Sequence, residues 1–200
     1  MDYSDNLENQ DRSRVQATVE FVWELFKVAI ISLAIILPVR YFLIQPFYVK
    51  GASMEPNFFD HEYLIVDEIT YRLSEPNRGD IVVFKYPKDP SQFFIKRIVG
   101  LPGENVSIEN GHIFIIQNDI KSLLAETYLA EGTETELPLQ GYSRVSLGDD
   151  EYFLLGDNRT QSLDSRVFGP VKRDFIIGRT WLRGWPITRL TIFNSPEYNF

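Results

Sequence analysis

An uncharged apolar run near the N-terminus constrains this chain more than any other feature. Val28-Ala29-Ile30-Ile31-Ser32-Leu33-Ala34-Ile35-Ile36-Leu37-Pro38-Val39 follows Lys27, and Arg40 interrupts the run before Tyr41-Phe42-Leu43-Ile44. At about 1.5 Å per helical residue, Val28 to Ile44 would reach roughly 25 Å, near the short limit for a membrane span. The run is apolar on every face, which argues against an amphipathic core helix. No small-x-small cleavage site follows it, since Leu37-Pro38-Val39 and Gln45-Pro46-Phe47 are poor candidates, so a removed export signal is disfavoured. The expectation is a retained transmembrane anchor over residues 21–45, with Trp23, Tyr41 and Phe42 suited to interfaces and Arg40 able to snorkel. A polar tail over 1–20 precedes it, and Met1 to Arg14 lack any apolar period. Arg12, Arg14 and Lys27 favour a cytoplasmic N-terminus by the positive-inside rule, which puts residues 46–200 on the extracytoplasmic side.

Those later residues suffice for one compact domain. Their pattern is that of strands: Tyr63-Leu64-Ile65-Val66, Asp80 to Phe84, Phe93-Phe94-Ile95, Val106-Ser107-Ile108, His112 to Ile116, Tyr152 to Leu155 and Ile176 to Trp181 are short, β-branched and aromatic. Gly, Pro, Asn and Asp separate them, and Asn110-Gly111 suits a two-residue hairpin. Helical signal is confined to the anchor, extending back to Val15 at most, and to one turn near Leu123 to Leu129. The class is mainly β.

Composition excludes several functions. A net charge of -8 opposes binding to nucleic-acid phosphates. The absence of cysteine removes disulfides, thiolate metal sites and a cysteine nucleophile. His61 and His112 are the only histidines and lack metal-ligand spacing, so no metal site is expected.

Three short motifs carry chemistry: Gly51-Ala52-Ser53-Met54-Glu55-Pro56, Ile95-Lys96-Arg97-Ile98-Val99-Gly100, and the polar run Gly156-Asp157-Asn158-Arg159-Thr160-Gln161-Ser162-Leu163-Asp164-Ser165-Arg166-Val167-Phe168-Gly169. Each alone is weak, reading as a loop, a surface Lys-Arg pair and a solvated turn. Glu55 spoils a Gly-x-Ser-x-Gly elbow, and no lysine stands three residues after Ser53. Arg78-Gly79-Asp80, followed by Ile81-Val82-Val83-Phe84, reads as a turn entering a core strand rather than an adhesion motif. In this order, with that turn and strand between the first two, the motifs resemble the type I signal peptidases over roughly Phe47 to Arg179.

The chemistry of the residues agrees with that resemblance. A serine hydroxyl needs a base, no histidine is in a recognised motif, and a desolvated lysine amine can serve. Alternation along a strand would turn Lys96 and Arg97 to opposite faces, one a buried amine and the other an exposed or paired guanidinium. The resemblance implies coiled antiparallel β-sheets with a small inserted β-ribbon lobe at about 105–150, Ser53 as nucleophile and Lys96 as general base. It further implies that Ser162 hydrogen-bonds the Lys96 amine, that Asp164 and Arg166 form a supporting ion pair, and that Val49, Met54, Phe58 and Ile95 line shallow pockets. Substrates would be preproteins bound as an added β-strand beside a lipid membrane, with no cofactor. Thr160-Gln161 stands where other members often carry Asp-Asn. Gly51 stands where some carry a serine that assists the oxyanion hole, so the second oxyanion donor is not identified. Two alternatives fit parts of the pattern: an inert membrane-tethered peptide-binding module, and a self-cleaving serine–lysine repressor.

Overall fold

The computed structural model describes residues 3–42, 44–139, 141–196 and 198. The chain divides into two units, Met1–Leu43 and Ile44–Phe200. The first is one helix, α1 (Tyr3–Phe42). The polar segment expected as a tail is therefore helical from Tyr3 onward. No glycine or proline stands between Tyr3 and Leu37 to break it, and acidic residues near a helix N-terminus suit its dipole. Val28, Ile31, Leu33, Ile35, Ile36 and Leu37 are each more than half exposed on this helix. Among the described residues no helix is long and apolar enough to cross a membrane. The stretch Pro38 to Ile44, on which the expected span also drew, lies outside the described side chains.

The second unit is mainly β, and its strand pairs are antiparallel. Among the described residues, eight strands form the larger sheet: β1 (Ile44–Tyr48), β2 (Tyr63–Asp67), β3 (Ile81–Tyr86), β4 (Asp89–Gly100), β9 (Glu151–Leu155), β10 (Val171–Lys172), β11 (Ile176–Trp185) and β12 (Thr191–Ile192). Their order is β1-β2-β11-β3-β4-β9-β10, with β12 beside β11. A second sheet, β7-β6-β5-β8, is made by β5 (Asn105–Glu109), β6 (His112–Gln117), β7 (Ile120–Leu123) and β8 (Arg144–Ser146). Asn110 and Gly111 both have positive φ in the β5–β6 turn, where Glu109 faces His112, as a type I′ hairpin requires. No helix forms near Leu123 to Leu129: β7 ends at Leu123 and the chain then makes a single hydrogen-bonded turn, Leu129 N–H donating to Glu126 O at 3.1 Å.

Strand β9 is buried on both faces, and alternation sends its side chains into two cores. Phe153 and Leu155 join Val99, Val106, Ile113 and Ile115 against the second sheet, while Tyr152 and Leu154 join Val82, Phe84 and Ile98 on the other side. A third core gathers Val49, Met54, Phe58, Leu64 and Ile81 beneath the turn that carries Ser53. At about 25 cal/mol per Å² of apolar surface, each fully buried Leu, Ile or Phe contributes roughly 1.5–3 kcal/mol, so these cores hold the strands that present the site. Arg78 and Asp80 are buried in this frame, Arg78 on Glu104 and Asp80 accepting from Tyr71, which gives that tripeptide a structural task.

Candidate active site

Two open strand edges face each other across a cleft. Among the described residues β1 pairs only with β2, which leaves its outer edge free, and β4 meets β9 only from Arg97 onward. The earlier part of β4, at Phe93 to Ile95, therefore has backbone unpaired on that side. The sheet curls enough to bring the Phe47 and Phe93 rings to 5.7 Å between centroids. The cleft between them, about 300 Å³, is lined by Phe47 to Ser53, Phe93 to Lys96, Gln161 and Leu163 among others. A slot with donors and acceptors on both walls suits one extended peptide.

At one end of the slot, Lys96 Nζ lies 2.8 Å from Ser53 Oγ and 2.8 Å from the Ile95 carbonyl oxygen. Lys96 is 3% exposed, and its Nζ sits 5.5 Å from the Phe94 ring centroid. Burial lowers its pKa from 10.5 to about 8, against the opposing pull of the Asp164 and Asp157 charges. Desolvation wins because neither carboxylate pairs with the amine; both are committed elsewhere. An amine whose pKa falls to about 8 has an accessible neutral form, and within hydrogen-bond distance of a serine hydroxyl that form can take its proton.

The polar run holds this pair from behind. The Asn158 backbone N–H donates to Ser53 O at 3.1 Å, and Asn158 Nδ2 donates to Ala52 O at 3.1 Å. Gly156 is packed so closely that a Cβ there would fall 2.1 Å from Ser162 Oγ and 2.5 Å from Ser53 O, so a side chain is excluded. Arg97 points away from the cleft, donating to both Asp157 oxygens at 2.8 and 2.7 Å and to Gly79 O at 2.9 Å. Tyr128 stacks on its guanidinium at 3.9 Å, and Asn57 Nδ2 donates to Asp157 at 2.8 Å. Asp157 thus ties the Lys96 strand to the Ser53 turn. Arg183, which donates to Asn57 O and Glu62, braces the same turn from β11.

The other expected site residues divide. Asp164 and Arg166 form a bidentate pair at 2.8 and 2.8 Å, and Asp164 also accepts from Gly156 N–H and caps the short helix α2 (Ser165–Phe168). Ser162 does not bond Lys96: its buried hydroxyl has no partner among the described residues, and the amine is satisfied by Ser53 and Ile95. Val49 and Ile95 line the slot. Met54 and Phe58 do not; they are 1% and 0% exposed in the core below. Gly51 has φ +93 and donates its N–H to Asp60, which explains glycine there and leaves no side-chain donor at that position. The sequence names Asp157 and Asn158 only as members of the polar run and does not single out Asn57; a hydrogen-bonding type at each is the available signal.

A family model described as "Signal peptidase, peptidase S26" matches residues 22–185. Among curated relatives, a protein named probable signal peptidase I-2 from Synechocystis sp. is 34% identical over 198 residues, covering 96% of this chain and 87% of its own. One named signal peptidase I from Bacillus amyloliquefaciens is 37% identical over 163 residues, covering 78% and 81%. A solved structure of a signal peptidase I from Enterococcus faecalis is 31% identical and covers 53% of this chain and 97% of its own, with a TM-score of 0.43.

Proposed function

The chain belongs to the signal peptidase family, peptidase S26, and from that premise we propose that Ser53 and Lys96 are the nucleophile and general base of its serine endopeptidase chemistry on signal peptides. The observation that carries the assignment is the 2.8 Å approach of a buried lysine amine to a serine hydroxyl at the end of a peptide-sized slot. Lys96 takes the Ser53 proton as Oγ attacks the scissile carbonyl, then returns it to the leaving amine. The acyl-enzyme is opened by a water that the same amine deprotonates. The Ser53 N–H is one donor to the oxyanion. Arg97, Asp157 and Asn158 fix the distance between strand and turn.

The substrate enters as an extra strand between β1 and Phe93 to Ile95, so alternate side chains before the cut face the same wall. Val49 and Ile95 bound that wall, which favours small residues there; Met54 and Phe58 support it from the core. α1, with its exposed Ile and Leu side chains, anchors the chain at a lipid membrane with its N-terminus cytoplasmic. The half-exposed Trp185 suits the interface on the catalytic side. An inert binding module is disfavoured, because it would have no use for a desolvated amine beside a hydroxyl. The direct test is cleavage of a preprotein by the detergent-solubilised chain beside a Ser53→Ala control. Product at the signal junction from the parent alone is the expected result; equal product from both would end the assignment.

A further inference from the structure

A polypeptide cut internally has chain on both sides of the bond, and the slot accounts for one. On the far side of Ser53 the turn continues through Glu55 and Pro56, and a second groove of about 620 Å³ opens there. Its walls are Glu55 and Pro56, the loop Asp157 to Thr160, and the segment from Leu129 to Glu136 that links β7 to β8. Ser53 and Gln161 line the slot, whereas Glu55 and Thr160 line the groove, so the groove begins two residues beyond Ser53 on the turn and next to Gln161 on the loop. The groove is roughly twice the volume of the slot, enough for several residues with side chains.

Charge at this groove has one sign. The Arg159 guanidinium is consumed by Glu126 and Thr135, and Asp157 by Arg97 and Asn57. The carboxylates of Glu55, Glu134 and Glu136 pair with no cation among the described residues. A peptide with acidic side chains would meet uncompensated repulsion there, and one with basic side chains would relieve it.

We propose that this groove is the subsite for the downstream side of the substrate, holding the first few residues of the released chain and preferring basic or neutral side chains to acidic ones. The proposal rests on the protease assignment and adds to it a specificity set by Glu134 and Glu136, which belong to the inserted segment rather than to the dyad.

The test uses the full chain in detergent and peptides identical before the cut, with Lys, Gln or Glu at the second to fourth positions after it. At low salt kcat/KM should favour Lys over Glu by about three- to tenfold, with Gln between. About 0.5 M salt should shrink that ratio, since these are exposed charges. Glu134→Lys combined with Glu136→Lys should erase or invert it. A ratio near one in the parent, or one unchanged by the charge reversal, overturns the groove while leaving the dyad intact. Cleavage that persists in Ser53→Ala overturns the protease assignment itself. As an independent measure, a photoreactive side chain three residues after the cut, presented to Ser53→Ala, should label Leu129 to Glu136. Labelling confined to β1 or β4 would sink the proposal.

Discussion

Two neighbouring cations on β4 live in opposite electrostatic regimes. On the cleft side, Lys96 is buried beside a hydroxyl, a carbonyl and an aromatic ring, with no ion pair among the described residues, and its pKa falls to about 8. On the back side, Arg97 is almost as buried, yet it meets a bidentate carboxylate, a carbonyl and a stacked tyrosine, and its pKa is raised despite the burial. Burial alone therefore does not decide what a cation does. Compensation decides, and the pleat of one strand is enough to put an uncompensated reactive group next to a compensated structural one. Asp157 belongs to both regimes, since it neutralises Arg97 while its charge also opposes the depression of the Lys96 pKa.

The comparison would break most visibly in activity. Lys96→Ala should reduce kcat/KM on a preprotein by at least about 10⁴-fold, because nucleophile and base act as a unit. Residual turnover within a hundredfold of the parent would show that another group serves as base.

Stability should separate the two sides in the reverse sense. Asp157→Ala leaves Arg97 buried without its partner and should cost about 3–5 kcal/mol in denaturant unfolding. Lys96→Met removes a desolvated amine from an apolar setting and should leave stability unchanged or raise it. Equal losses from both variants would mean that Lys96 is as structural as Arg97.

Much of this contrast was legible in the sequence, and the gaps have physical causes. Alternation separated Lys96 from Arg97, and the resemblance supplied the partnership of Asp164 with Arg166, now seen as a bidentate pair. Strand β1 was missed because Pro46 sits inside it and an apolar run abuts it; proline is tolerated there because the strand is an edge. β8, β10 and β12 are two or three residues long and have too little pattern to read. The resemblance puts Met54 and Phe58 in the substrate pocket, and a tight turn has no period against which to check the direction of a side chain. The turn sends both into the core. The lone Ser162 hydroxyl shows the same limit, since proximity in a motif does not determine which partner a rotamer reaches.

The depressed Lys96 pKa sharpens the comparison through pH. In the free enzyme, kcat/KM should fall about tenfold per pH unit below pH 8 and level off above it. Stability carries a matching signature. Between pH 8 and 10.5 the unfolded chain keeps a proton on Lys96 that the folded chain has lost, so this group favours folding more as pH rises through that window. Below it, both states are protonated and the penalty is constant, on the order of 3 kcal/mol. The difference in unfolding free energy between the parent and Lys96→Met, followed from pH 7 to 10.5, should therefore narrow as pH rises. A flat difference would place the lysine in an ordinary, solvated setting.

The smallest effect concerns Gly51, at the entrance to the serine turn. A side chain there meets nothing within 4 Å, so the obstacle is conformational rather than steric crowding: φ is +93. Gly51→Ala and Gly51→Ser should each lose about 1–2 kcal/mol of stability for that reason. Their activities need not match. If the oxyanion site has room for a second donor, the serine hydroxyl can offset part of the damage that the strained backbone does to the turn. The ratio of kcat/KM for Gly51→Ser to that for Gly51→Ala isolates this contribution, since both carry the same backbone cost. It should lie between about two and ten, well short of the 2.7–4 kcal/mol that an essential donor supplies elsewhere, because on the proposed mechanism the Ser53 N–H is already one donor. A ratio of one or less, at equal melting temperatures, would show that position 51 does not reach the oxyanion and that glycine is held there only by the positive φ and the hydrogen bond to Asp60.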